Sequence, residues 1–353
     1  MTPLRVLIVG YGFAGAWIHD PLIRSVPELQ VSAVVTSSQE RRELARSRDR
    51  DIEVFESAER ALVDAEADVA VIATPNRHHV ELAVASLERG MAVVVDKPLA
   101  NNAEDARLLA TKADRLGGSL SVFHNRRWDG DYLTVTRLAA EGMLGPIHRL
   151  ISRFDRWVPE PGGGWRDESP AVGGGLLLDI GSHLVDQALG LLGPVESVYA
   201  ELATLMSGRR SEDDVFIALR HESGSVSHLY ASGAEGMPSV RFHVSGPAGA
   251  YVKSGKDVQE ERLLSGFVPV PGETGVEPEE RWGRIHRGDV SEPVPTIPGD
   301  WSIFYRRLVE HLRGEAPVPV SAHEATGVIA VLDAARKSAT EGAVVATAGR
   351  PGI

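Results

Sequence analysis

"VLIVGYGFAGAWIHDPLI", residues 6–23, sets three glycines, Gly10, Gly12 and Gly15, directly after a run of β-branched and aliphatic residues. The apolar run reads as a strand and the residues after it as a helix, so the glycines mark a strand–turn–helix junction. Such a junction gathers backbone N–H groups and the positive end of a helix at one point, which suits a pyrophosphate. The same spacing also serves a plain tight bend, and in a chain with 36 glycines it arises by chance. The surrounding residues decide between the two. Pro21 lies inside the helical pattern and predicts a break near Asp20.

Outward from the glycines, apolar runs alternate with helical patterns. "LRVLIVG", "QVSAVVT", "DVAVIATP", "MAVVVDKP" and "SLSVF" are separated by helical periods over 13–25, 39–47, 78–89 and 102–116. Strands that are almost continuously apolar belong in a sheet covered on both faces, so residues 1–123 are read as a doubly wound parallel α/β domain of the Rossmann type. From 124 to 353 the pattern changes. "VESVYAELATL", "DDVFIALRH", "SVSHLYAS" and "VRFHVSGP" alternate like strands with one face exposed, which predicts an α+β domain on a mostly antiparallel sheet. The stretches 158–175 and 286–300 look poor in regular structure, and the first is long enough to suspect a role. Helical periods return in "DWSIFYRRLVEHLRG" and "AHEATGVIAVLDAARKSATEG", helices expected to pack back on the first domain.

Composition narrows the function. At 353 residues the chain suits two domains, on a prior of roughly 100 to 200 residues each. With 49 acidic and 37 basic side chains the formal charge is −12, and no basic stripe is present to follow nucleic-acid phosphates. There is no cysteine, which removes disulfides, thiolate metal sites and cysteine nucleophiles together. No stretch approaches the roughly 18 apolar residues of a membrane span, and the apolar run at the start is short, as a strand's would be. A cytoplasmic protein with neither a membrane nor a nucleic-acid partner is expected.

Several residues are placed for chemistry. About 20 residues past a glycine turn, an acidic residue usually meets a ribose 2′-hydroxyl. Here "TSSQERR" puts Ser37, Ser38 and Arg41 in that region, a set suited to a 2′-phosphate; alternatively Arg41 and Arg42 only solvate a helix start. "ATPNRHHVELA" and "VVVDKPLA" fall at the carboxyl edge of the sheet, where open α/β folds bind ligands. Lys97, at a strand end beside a proline, supplies a compact donor able to polarise an oxygen; a solvated surface lysine is the plainer reading. Of His78 and His79, at least one reads as a surface residue at a helix start. The densest signal is "GGGLLLDIGSHLVDQALGLLG", residues 173–193. On a regular helix Asp179, His183 and Asp186 form one polar stripe on an otherwise apolar segment. Such a stripe is either an acid/base site or a satisfied core pair. One histidine and two aspartates are a poor metal site, and no metal is expected.

With these residues placed, the chain resembles the glucose-fructose oxidoreductase/inositol dehydrogenase/MocA family of NAD(P)-dependent oxidoreductases. The resemblance rests on "GYGFAG", "TPNRHH", "DKP", "NRRWD", "DIGSHLVD" and the closing "FYRRLVEHLRG…PVPVSAHEATGVIAVLDAARKSA", and covers almost the whole chain. "DKP", for the more usual "EKP", together with "NRRWD" is most similar to the subgroup holding NADP-dependent scyllo-inositol dehydrogenases. The resemblance implies that Lys97, Asp179 and His183 are the catalytic set, His183 as acid/base, Lys97 on the reacting oxygen and Asp179 orienting both, with Asp186 in support. It implies a cofactor, NADP(H) in preference to NAD(H), against Gly10, Gly12, Phe13, Ala14 and Gly15, against Ser37, Ser38 and Arg41, and against Thr74, Pro75, Asn76, His79, Asp96, Lys97 and Asn125. It also implies a cis bond before Pro98. A cyclitol, polyol or sugar with a secondary hydroxyl or ketone is the expected substrate, met by Lys97, Arg127, Trp165, Asp179 and His183 in a cleft between domains. A homodimer or homotetramer assembled through the second sheet is expected. The rival readings are a non-catalytic dinucleotide-binding regulator on the same fold, and an imine or enone reductase.

Overall fold

The computed structural model describes residues 2–347. In chain order the elements are β1 (Leu4–Val9), α1 (Asp20–Arg24), β2 (Leu29–Val35), α2 (Gln39–Arg48), β3 (Glu53–Phe55), α3 (Ala58–Asp64), β4 (Val69–Ile72), α4 (His79–Leu87), β5 (Ala92–Asp96), α5 (Ala103–Leu116) and β6 (Leu120–Phe123). There follow α6 (Gly130–Ala140), β7 (Arg149–Asp155), α7 (Ser182–Leu192), β8 (Val195–Ala203), β9 (Asp214–His221), β10 (Val226–Ser232), β11 (Val240–Gly246) and β12 (Gly249–Ser254). The last are α8 (Gln259–Leu264), β13 (Gly283–Arg287), β14 (Val290–Val294), α9 (Ser302–Leu312), α10 (Ala322–Glu341) and β15 (Val345–Ala346).

The chain divides into two compact units, and the division is not a single cut. Of the described residues, the first unit comprises 2–125, 259–274 and 300–326, and the second 126–258, 275–299 and 327–347.

In the first unit six parallel strands run in the order β3-β2-β1-β4-β5-β6, the doubly wound parallel sheet read from the alternating apolar runs. Strands β1 and β4 are buried almost throughout, as a sheet covered on both faces requires. The disturbance expected at Pro21 takes the form of a π turn, Gly15–His19, that passes into α1 at Asp20. The Asp20 N–H bonds the Gly15 carbonyl rather than that of Ala16. In this wider turn the next donor for Ala16 would be residue 21, a proline without an N–H, and Arg48 donates to the Ala16 carbonyl instead. Arg48 also bonds Asp20, which accepts the Tyr11 hydroxyl at 2.8 Å, so the tyrosine between the first two glycines is anchored.

The second unit is built on a nine-stranded sheet in the order β14-β13-β12-β11-β7-β10-β9-β8-β15, antiparallel throughout except for the parallel pair β7–β10. Its core joins Tyr132, Val135 and Leu138 of α6, Leu184 and Val185 of α7, and Val328, Val331 and Leu332 of α10 to inward strand residues such as Ile217, Leu229 and Val244. Along β9 and β10, Val215, Ile217, Leu219 and Leu229 face this core, while Phe216, Ala218 and Tyr230 lie on the other, half-buried face. There Phe216 stacks at 4.9 Å from Tyr230, and Arg153 lies 4.0 Å above the Tyr230 ring.

The expectation of little regular structure over 286–300 is corrected: β13 and β14 form a hairpin turning at Gly288, whose φ is +59°. Pro293 fits within β14 because that strand is an edge, where a missing donor costs no ladder bond. The stretch 158–175 contains only two short 3₁₀ turns.

Candidate active site

In the first unit the glycine turn follows β1. A Cβ on Gly10 would lie 2.7 Å from the Ala73 backbone, and φ there is +100°. One on Gly15 would lie 2.1 Å from the Gly10 carbonyl, so this glycine lets helix and strand touch. Around Gly12 a Cβ would meet nothing within 4 Å. The first and third glycines are therefore needed by the fold itself, whereas Gly12 leaves open space over the turn, the room a pyrophosphate requires. Phe13 is nearly half exposed at the start of the helix, and Ala14 precedes the π turn.

At the end of β2, Ser38 caps α2 by accepting the Arg41 N–H at 3.4 Å. Arg42 is committed to Glu56 and to the Ser37 carbonyl. Among the described residues no carboxylate pairs with the Arg41 guanidinium.

The two loops after β4 and β5 are joined by His79. Its Nδ1 lies 2.8 Å from the Pro98 carbonyl and its Nε2 2.8 Å from that of Thr74, and the ring is fully buried, which pulls its pKa below the ordinary histidine value. Asn76 is buried in the same loop beside the partly exposed Pro75 and His78. The Lys97–Pro98 bond is cis. Asp96 accepts the Lys97 N–H at 2.9 Å. Burial raises the Asp96 carboxyl, but the neighbouring His19, Lys97 and His79 outweigh it, leaving it below its usual range. Asn125 is buried just beyond β6.

In the second unit Asp179 and His183 are both buried, at 7% and 5% exposure. The expected regular stripe is modified: Leu177–Gly181 is a π turn, and α7 begins only at Ser182. Asp179 thus sits on the wider turn and His183 at the start of the α-helix. The carboxylate of Glu212 closes the beginning of this segment, its Oε1 accepting the Leu177 N–H at 3.2 Å. A Cβ on Gly175 would strike that carboxylate at 2.3 Å. Burial raises the Glu212 pKa, while its backbone hydrogen bonds and Arg336 oppose the rise. On the Asp179 carboxylate, Arg166 Nε lies 3.3 Å and Arg156 Nη2 4.0 Å from Oδ2. Asp186 is gripped by Arg127. The side chain of Trp165 lies outside the described residues.

Arg156, Arg166, Glu212 and His19 were not singled out from the sequence. None stands out in the sequence: Glu212 is the first of three consecutive acids, Glu212, Asp213 and Asp214, and the arginines and His19 meet their partners only in the folded chain. Among the described residues no group of three or more His, Asp or Glu side chains is placed to hold a metal ion, and no helix is long and apolar enough to cross a membrane.

A strand–glycine turn–helix with room over its middle glycine and a lysine at the edge of the same sheet suit the class of nucleotide-dependent oxidoreductases. Residues 4–124 match the family model for the oxidoreductase family with NAD-binding Rossmann fold, and residues 132–252 that for the GFO/IDH/MocA C-terminal domain. The chain belongs to the GFO/IDH/MocA family of oxidoreductases. It is 36% identical to the uncharacterized oxidoreductase YdgJ of Escherichia coli, over 98% of this chain and 99% of that one. It is 33% identical to the scyllo-inositol 2-dehydrogenase (NADP(+)) IolW of Bacillus subtilis, over 96% and 94%. A solved structure from Klebsiella pneumoniae superposes with a TM-score of 0.90 at 35% identity, covering 99% of this chain and 97% of that one.

Proposed function

We propose that the protein transfers a hydride between NADP(H) and a secondary hydroxyl or ketone of a cyclitol, polyol or sugar, with Lys97, Asp179 and His183 as its catalytic residues. One observation carries the reading: a segment built from Leu, Ile, Val and Ala buries an imidazole and two carboxylates, an arrangement that costs desolvation and serves proton transfer. The 33% identity to an NADP-linked inositol dehydrogenase supports the substrate class.

The glycine turn, Ser37, Ser38 and Arg41 would hold the dinucleotide, with the loops of Thr74, Pro75 and Asn76, of Asp96 and Lys97, and of Asn125 completing its surroundings. When bound, the nicotinamide supplies the hydride donor or acceptor. His183 takes the hydroxyl proton in oxidation and returns it in reduction. Lys97 donates to the reacting oxygen and stabilises the charge that develops there. Asp179 orients the imidazole and a substrate hydroxyl, with Arg166 and Arg156 fixing its carboxylate. Assembly into a homodimer or homotetramer through the half-buried face of the second sheet belongs to the same reading.

A panel of inositols, polyols and sugars, each with NADP+ and NAD+ and followed at the nicotinamide absorbance, tests it. Turnover should appear with at least one cyclitol or sugar and fall about 100-fold or more in His183→Ala, with dinucleotide affinity little changed. Absence of turnover across the panel, or full activity in His183→Ala, overturns it.

A further inference from the structure

Behind Lys97 lies a buried polar chain that the reaction as described does not use. The π turn aims His19 into the first unit, where it is fully buried with its ring centroid 4.4 Å from that of Phe123. Its Nδ1 is 2.5 Å from the Tyr305 hydroxyl, and its Nε2 faces Asp96 Oδ1 at 3.9 Å. The same Oδ1 accepts the Lys97 backbone N–H. Tyr305 is itself fully buried, and burial together with the Asp96 charge keeps its phenol protonated far above the ordinary range. The arrangement that suits both neighbours puts a ring proton on Nε2, toward the acceptor carboxylate of Asp96, and leaves Nδ1 to accept from the phenol.

We propose that His19 is a positioning residue for Lys97: Tyr305 fixes its tautomer, its Nε2–H steadies the Asp96 carboxylate, and that carboxylate holds the Lys97 backbone. The chain ends in the core at Tyr305, so it has no outlet at that end and does not serve as a proton wire. Its cost is plain, since a phenylalanine and a leucine would fill the same space without burying three polar atoms. What it secures is the placement of a group whose ångström-scale displacement costs a large part of the rate. Lys97 and His79 are the other charged or titratable groups facing Asp96, and Tyr305 faces His19 from α9; His19→Gln leaves all three in place.

The proposal rests on Lys97 acting on substrate oxygen, so its test has one arm that needs no turnover. In full-length protein labelled with 15N-histidine, without cofactor, the His19 signal, assigned by its loss in His19→Gln, should show an unprotonated Nδ1 and a protonated Nε2. Tyr305→Phe, which keeps the ring, should release it to a mixture of tautomers. In the second arm, with scyllo-inositol as first probe or the fastest polyol of the panel, His19→Gln should lower kcat about 10- to 100-fold and leave NADPH affinity unchanged. The acid limb of its kcat profile should move to higher pH, because Asp96 loses the group that favours its ionised form. Tyr305→Phe in the His19→Gln background should add nothing. An Nδ1-protonated His19, or a His19→Gln enzyme with the wild-type acid limb and kcat, overturns the proposal. A wild type without turnover refutes the dehydrogenase reading alone and leaves the tautomer to decide this one.

Discussion

Arg127 holds Asp186 with two nitrogens of its guanidinium: Nε lies 3.1 and 3.0 Å from the two carboxylate oxygens, and Nη2 lies 2.7 Å from Oδ1. The carboxylate is almost completely buried and the arginine about three-quarters so. Truncating one partner of such a pair strands the other charge in low dielectric. Arg127→Ala should therefore lower unfolding free energy by about 3 to 5 kcal/mol in denaturant titrations. The double substitution Arg127→Met with Asp186→Leu should recover most of it. A loss below ~1 kcal/mol in Arg127→Ala would show the pair to be dispensable for folding.

The glycine turn separates fold from ligand. Gly15→Ala should destabilise by about 1 to 3 kcal/mol or more, because its methyl would press on the Gly10 carbonyl. Gly12→Ala meets no atom and should leave the melting temperature near wild type while weakening NADPH binding, measured by nucleotide fluorescence. Equal nucleotide affinity in Gly12→Ala would place the pyrophosphate elsewhere.

Cofactor preference should depend on Arg41. A charge-assisted hydrogen bond to a 2′-phosphate contributes about 1.5 to 3 kcal/mol, so one such bond gives a preference on the order of 10- to 150-fold. Arg41→Ala should remove much of it, read from kcat/KM for NADP+ and NAD+. Arg42 is tied to Glu56 and the Ser37 carbonyl, which makes Arg41 the better test. A wild type favouring NAD+ would overturn the 2′-phosphate site, and an unchanged ratio in the variant would shift it to Ser37 and Ser38.

The outward face of the second sheet predicts assembly. Phe216, Tyr230 and Tyr199 form an aromatic strip on it, with Phe216 6.5 Å from Tyr199. Light scattering at micromolar concentration should give a dimer or tetramer for wild type and a smaller species for Phe216→Glu. A monomeric wild type would rule the assembly out.

Much of this was legible in the residues themselves. The nearly unbroken apolar runs of β1, β4 and β5 announce a parallel sheet, and the strict alternation of β9 and β10 an exposed-face sheet, because burial on two faces or one leaves those two patterns. Other elements carry no such mark. In β7 the apolar and polar residues change places midway, with Ile151 on the outer face and Ser152 buried, and Pro293 disguises β14. Both π turns escape a reading based on 3.6-residue periodicity, which one extra residue per turn barely disturbs; only Pro21 gave the first away. The charged side chains that meet Asp179 and Asp96 lie outside the local pattern of their own elements, although Arg166 stands only 13 residues before Asp179. Arg156, Arg166 and His19 acquire their meaning only when the chain is folded.

The interleaving of the two units bears on how the protein is made. All six strands of the first sheet have been synthesised by Phe123, yet Phe304, whose ring stands edge-on to Phe123 at 4.9 Å, and Tyr305, which binds His19, belong to α9. A nascent chain therefore carries an uncovered aromatic face while nearly all of the second unit's sheet emerges from the ribosome. A gene cut after β6 would encode a sheet without this covering helix, so the nucleotide-binding half is not a cassette that recombination can lift out at one boundary.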